Sequence, residues 1–301
     1  MRILRDAVLV ALFDLAESLR SRKVLVLLAL YVAGATVAAA GFVSALGRME
    51  NTLAGQLGVS STGHPGAVTE ALQQSKQLKD TIGSLIGDPA LAAELVHIPI
   101  LALYYGWIAL LFVPTLVMFT SCDTISSEVA TGSARFALVR TDRRAWLLGK
   151  LGGQAALLAV GLFGGGLGTA IVGWGWLHGY APATNGWWML RLSARAWVSG
   201  YAYLGIALGI SAAVRSPHLA RALGLVVLIV LGATRAILEL DPVIAYAPVL
   251  ARSLSQFFPG TYALDLWRPE LSDRLPAYAM LFALGSGAYA LGYARFARRD
   301  A

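Results

Sequence analysis

The sequence predicts an all-α membrane protein: six transmembrane helices preceded by an N-terminal amphipathic surface helix. Three observations carry that prediction. Hydrophobic residues make up 57% of the 301 positions and charged residues only 14%, with a mean hydropathy of +0.65, whereas soluble domains average roughly 45–50% apolar and about 25% charged. Six apolar runs approach or exceed the roughly 20 residues needed to cross a bilayer. The basic residues gather in short clusters between those runs. The length is spent on one bundle and its loops, so residues 1–301 read as a single transmembrane domain.

Residues 3–22 place Ile3, Ala7, Val10, Ala11 and Leu15 on one helical stripe, with Arg5, Asp6, Asp14, Glu17 and Arg20 largely elsewhere. That pattern, within the segment 1–23, is a helix lying on the membrane surface. Acidic residues interrupt its apolar positions and no small-residue cleavage site follows, so it is expected to be retained and not removed as a signal peptide. Val24 to about Leu46 is uncharged, opened by Arg20, Arg22 and Lys23, and forms the first span.

Residues 47–97 are polar and mixed, with turn signals at Gly63–Gly66 and Asp88-Pro89 around a helical stretch from Val68 to Ile86; they form the largest extramembrane loop. The second span runs from about Ile98 to Cys122 and is expected to kink at Pro114, which lacks an amide proton. A charged segment, 123–150, separates it from a glycine-rich third span at about Leu151–Trp176. A short loop holding Pro182 and Asn185 leads to a fourth span at about Ala196–Val214. After the turn Arg215-Ser216-Pro217-His218 comes a fifth at Leu219–Leu238, then a loop with Pro242, Pro248, Pro259 and Pro269, then a sixth from Pro276 to about Tyr293.

Six spans put both termini on one side. That side carries 15 Lys and Arg in about 66 residues, the other 9 in about 106. The roughly threefold difference in density makes the termini cytoplasmic by the positive-inside rule, and the loops 47–97 and 239–275 face outward. The same clustering, without interleaved aromatics, excludes nucleic acid as the reason for the net charge of +7. The eight Trp, including Trp107, Trp174, Trp176, Trp187, Trp188 and Trp267, fall mostly near span boundaries, as interfacial anchors do.

Several chemistries are excluded. Cys122 stands alone, so neither a disulfide framework nor a CxxC site exists. His64, His97, His178 and His218 are never four apart, and no metal site is expected. Gly149-Lys150 is followed by Leu151 and has Arg144 five residues before Gly149, so the chain lacks a GxxxxGK[ST] phosphate loop and binds no ATP by that route. The spans hold no usable His or Asp for an intramembrane protease. They show neither the midplane ionisable residues nor the internal repeat of most secondary transporters and channels, a class that stays as an alternative reading. No catalytic residue is assigned.

Two features remain. Gly161/Gly165, Gly164/Gly168 and Gly205/Gly209 have the GxxxG spacing that lets helices approach closely, and the third helix is expected to pack centrally, with a dimer contact as the alternative use of the same glycines. Arg235 and Glu239, four apart near the outer end of the fifth helix, form either an interfacial ion pair or a gate on an outward path.

The segment DTISSEVATGSARFALVRTDRRAWLLGK, from Asp123 to Lys150, begins acidic with Asp123 and Glu128. It continues basic with Arg135, Arg140, Arg143, Arg144 and Lys150, the order that complements a helix dipole, with Ser126 or Ser127 as a cap. Composition alone fits a solvated loop and a partner-docking helix equally well. The pattern Asp123, Ile125, Ser126, Glu128, Gly132, Arg135, Leu138, Gly149 and Lys150 resembles the cytoplasmic motif of type-2 ABC-transporter permeases, a family of drug, polysaccharide and copper-maturation exporters. The resemblance is specific across residues 120–165 and loosely covers the whole chain. The family commonly has Gly-Thr at Gly132-Ser133 and a Pro within Thr141-Asp142-Arg143.

The resemblance implies a permease half-transporter in a bacterial cytoplasmic (inner) membrane, with no catalytic chemistry of its own. Residues 123–146 would be the coupling helix seated in a separate cytoplasmic ABC ATPase, which binds the ATP and Mg that this chain does not. It further implies pairing with a second copy or a homologous permease, and either export or mechanical work on an extracytoplasmic protein. Glu128 is the contact it singles out.

Overall fold

The computed structural model describes residues 2–57, 91, 95, 97–177, 180–238, 240, 248–268 and 270–298. Every described element is helical. They are α1 (Arg2–Arg20), α2 (Arg22–Leu57), α3 (Ile100–Ser121), α4 (Thr124–Thr131), α5 (Ser133–Arg140), α6 (Arg143–Trp176), α7 (Pro182–Ala213), α8 (Pro217–Leu238), α9 (Pro248–Ser255) and α10 (Leu271–Ala297). Two 3-10 turns, Pro259–Ala263 and Asp265–Trp267, lie between α9 and α10. Six of these helices are long and apolar enough to cross a membrane.

Several boundaries differ from the sequence expectation, each for a physical reason. α2 continues past Leu46 to Leu57, because Arg48, Met49 and Glu50 are good helix formers and nothing there breaks the ladder. α6 starts at Arg143, eight residues early, where the Asp142 carboxylate accepts the Arg144 N–H at 2.7 Å and caps the helix. Pro182 and Asn185 lie in α7, with Pro182 in its first turn, where a missing amide costs nothing. α10 begins at Leu271 and α3 runs from Ile100 to Ser121, so Pro276 and Pro114 are both interior. The stretch Val68–Ile86, the turns at Gly63–Gly66 and Asp88-Pro89, Pro242 and Pro269 lie outside the described residues.

The helices are not equally buried. In the most apolar part of α7, 67% of residues are buried inside the protein, against 50% in α6 and 11% in α8. The centre is therefore α7 flanked by α6, and α8 lies at the periphery. Glycines set these contacts. A Cβ placed on Gly205 or Gly292 would strike the main chain of the opposite helix, at Gly285 and Gly209 respectively, so α7 and α10 touch backbone to backbone. Along α6, added Cβ atoms at Gly161, Gly164 and Gly165 would sit 3.0, 3.1 and 2.9 Å from Leu28, Val32 and Tyr31, and one at Gly168 would strike Thr36. The GxxxG glycines of α6 thus face α2 of the same chain.

α1 packs on the first turns of α6 rather than floating free. Ala7 is buried, and Val10, Ala11 and Asp14 lie over Gly149, Gly152 and Gly153, where a Cβ would meet Val10 at 2.5 Å, Ala11 at 3.3 Å and Asp14 at 2.6 Å. Of the stripe read from sequence, Ala7, Val10 and Ala11 meet α6 while Ile3 is exposed, and a second stripe, Leu4, Val8, Leu9, Leu12 and Phe13, is the more exposed apolar face. Trp107, Trp174, Trp176 and Trp187 are exposed as belt residues are, whereas Trp267 is buried over Gly106.

Gly205→Leu is expected to lower stability by about 1–3 kcal/mol or more, because main chain cannot rotate out of the way. Gly34→Leu in α2, which has open space around it, is expected to stay within about 0.5 kcal/mol. Thermal unfolding of both variants in one detergent checks this, and equal losses would refute the close contact.

Candidate functional site

Residues 121–154 gather at the end of the bundle that also carries α1, the start of α2 and the start of α8. α4 is held at its first turn from three directions. Asp123, its N-cap, makes no side-chain bond to its own helix. Its carboxylate accepts from Lys23 Nζ at 2.9 and 3.0 Å and from Arg221 Nε at 2.6 Å, tying α4 to α2 and α8. The orphan N–H groups of Ile125 and Ser126 both donate to Ser211 Oγ of α7 at 3.0 Å. Ser211 therefore supplies in trans the cap expected of Ser126 or Ser127. Ser126 is buried and its hydroxyl donates to the Asp123 carbonyl at 3.2 Å.

The far turn of α4 is held by a buried ion cluster. Lys150 Nζ, on α6, donates to Asp14 Oδ1 of α1 at 2.5 Å and to Glu128 Oε1 of α4. The Lys150 and Asp14 side chains are each 4% exposed and that of Glu128 22%. Gln154 completes the set: its Nε2 donates to Asp14 Oδ2 at 2.8 Å and to Ser18 Oγ at 3.2 Å, and its Oε1 accepts from Ser121 Oγ at 3.0 Å. The indole of Trp146 lies 5.9 Å from Lys150 Nζ. Two carboxylates on one ammonium, with an amide filling the remaining lone pairs, is the arrangement that makes buried charge tolerable.

Gly132 separates α4 from α5 with φ +80°, a conformation L side chains rarely adopt. The single coupling helix expected over 123–146 is thus two short helices, followed by extended Thr141 and the start of α6. α5 touches little: Ala134 is buried, while Phe136 and Val139 are 80% and 85% exposed. Arg135, Arg140, Arg143 and Arg144 are also exposed, with Arg143 donating to the Ala297 carbonyl at 3.4 Å.

The structure therefore divides the sequence-predicted residues. Asp123, Ser126 and Glu128 face inward as anchors, and Glu128 presents its carboxylate to Lys150 and not outward. Gly132 is the break, and Arg135, Arg140, Arg143 and Arg144 are exposed, as are Phe136 and Val139. Sequence reading missed Asp14, Lys23, Gln154, Ser211 and Arg221, which lie up to 140 residues from their partners, and it missed Phe136 and Val139. The last two carried a signal: exposed apolar residues in an Arg-rich segment. At the opposite end Arg235 lines a cavity of about 390 Å³ with Trp107, Thr115, Tyr203 and Pro259, and Glu239, its expected partner, lies outside the described residues. Among the described residues no His, Cys, Asp or Glu side chains group to hold a metal. His64 and His178 are outside them.

These features define a multi-pass helical membrane protein with a short, firmly anchored helical segment projecting from one end of its bundle. The chain belongs to the ABC-2 transporter family: the family model described as ABC-2 family transporter protein matches residues 8–301. A comparison with curated proteins found no match. A permease of this family is the membrane component of an ABC transporter, associates with ABC ATPase subunits and is generally not itself catalytic.

Lys150→Met is expected to cost about 3–5 kcal/mol, because Asp14 would be left buried without its cation. Asp14→Asn combined with Lys150→Met and Glu128→Gln is expected to recover most of that loss. Denaturant or thermal unfolding of the purified variants measures both, and a harmless single substitution would contradict the burial described.

Proposed function

We propose that this permease is the membrane half of an exporter, and that α5 with the flanking arginines docks into a cleft of a separate cytoplasmic ATPase. The observation that carries the reading is a short segment in which an apolar pair, Phe136 and Val139, and the cations Arg135, Arg140, Arg143 and Arg144 are all exposed. Interfaces draw on both kinds of residue, for an apolar core and a polar rim.

The polar end is then cytoplasmic, in agreement with the density of Lys and Arg along the sequence, and the membrane is a bacterial inner membrane. ATP and Mg belong to the ATPase. Two permease copies, or this chain and a homologue, pair with two ATPases. When ATP draws the ATPases together, α5 is pulled. α4 passes the displacement to α7 through Ser211, to α2 and α8 through Asp123, and to α1 and α6 through Lys150. The cavity of about 390 Å³ between α3, α7, α8 and the 259–267 turns is the part of the passage on the outward side, with Arg235 at its edge.

Phe136→Asp with Val139→Asp is expected to reduce co-purification of a co-expressed neighbouring phosphate-loop ATPase at least about tenfold, a loss of about 1.4 kcal/mol, with the permease's own melting temperature unchanged. Glu128→Gln is expected to retain association and lose substrate-stimulated ATP hydrolysis. Undiminished co-purification of the double variant would refute docking through α5.

A further inference from the structure

At the polar end a groove of about 340 Å³ opens between the start of α2, the end of α3 and the start of α8. Its mouth is cationic. Lys23 and Arg221 both lie against Asp123, and their side chains remain 42% and 50% exposed. Two cations share one carboxylate, so one positive charge is in surplus. Arg221 spends Nε and one terminal nitrogen on Asp123, and its guanidinium carries five N–H donors. The remaining lining is apolar, with Met118, Phe119, Leu225 and Leu228 beside the buried Cys122 and the exposed Ala222.

Depth fixes what such a groove can hold. Lys23 opens the apolar run of α2, and Arg221 lies one turn into α8, so both charges stand at headgroup level. From Arg221 to Leu228 the helix descends about 10 Å, and the wall changes from charged to hydrocarbon over that distance. A protein partner would have to enter the bilayer to reach Phe119 and Leu228. A soluble anion would use the mouth and leave the apolar wall empty. An amphiphile with a phosphate at one end uses both, and basic pockets between transmembrane helices bind anionic lipid headgroups in this manner.

We propose that this groove is a binding site for one anionic phospholipid, its phosphate on Lys23 and Arg221 and one acyl chain along Phe119, Leu225 and Leu228. Because the same two cations hold Asp123, the N-cap of α4, occupancy bears directly on how firmly α4 is fixed. The proposal rests on the membrane-spanning fold and not on the direction of transport.

The test uses the full-length protein purified in neutral detergent, with phosphatidylglycerol, phosphatidylcholine or sodium phosphate added, read by native mass spectrometry and by melting temperature. Phosphatidylglycerol is expected to stay bound and raise the melting temperature, while phosphatidylcholine and sodium phosphate leave it unchanged. Arg221→Ala is expected to weaken phosphatidylglycerol binding about fivefold, the effect of one basic residue at a membrane surface. Ala222→Trp, which fills the groove and keeps both cations, is expected to abolish it, and it decides the matter if Arg221→Ala fails to fold. Equal retention of the two lipids, sodium phosphate reproducing the stabilisation, or unaltered phosphatidylglycerol binding in Ala222→Trp would each overturn the proposal.

Discussion

Lys150 stands where three elements meet, with Asp14 of α1 on one side and Glu128 of α4 on the other. A buried ammonium demands partners, and buried carboxylates demand the ammonium, so none of the three elements can leave without stranding a charge. That demand explains why α1 is a docked part of the bundle and not merely a surface float. It also explains Gly149, Gly152 and Gly153 on the adjacent face of α6: without side chains there, α1 comes close enough for Asp14 to reach Lys150 and Gln154. The ion cluster and the glycines are one device, in which close approach permits the contact and the contact makes the approach favourable.

A second node, Asp123 with Lys23, Arg221 and Ser211, fixes the other end of α4. With both ends held, α4 is a rigid continuation of the bundle. α5 is different in kind. It follows a left-handed glycine, buries little and turns two apolar side chains outward. One short segment thus joins a fixed half to a presented half, the division of labour needed by any part that must grip a neighbour and move its own body.

The fold was legible where hydrophobic length decides. Six apolar stretches named six spans, and GxxxG spacing in α6 and α7 marked close contacts, although the partners, α2 for Gly161–Gly168 and α10 for Gly205 and Gly209, depend on tertiary placement. Boundaries were less legible, because Asp142 capping and Pro182 in a first turn extend helices into polar sequence that composition assigns to loops. Of the candidate site, the segment could be located but its inside and outside could not. Glu128 and Arg135 look alike as charged residues in a polar stretch, and only Asp14 and Lys150, distant in sequence, show that Glu128 turns inward. The inner face of α1 was illegible for a related reason: the helix carries apolar residues on two faces, and periodicity cannot say which one meets protein.

The separation of these partners along the chain has a consequence for how the protein is made. Asp14 leaves the ribosome 136 residues before Lys150, on the order of ten seconds at ordinary synthesis rates. Throughout that interval Asp14 lacks Lys150, its partner on α6, and two spans are made before it. Asp123 likewise precedes Arg221 by 98 residues and Ser211 precedes neither of its donors. The polar end therefore closes only after the fifth span has begun to emerge, so this face of the molecule is completed late in biogenesis.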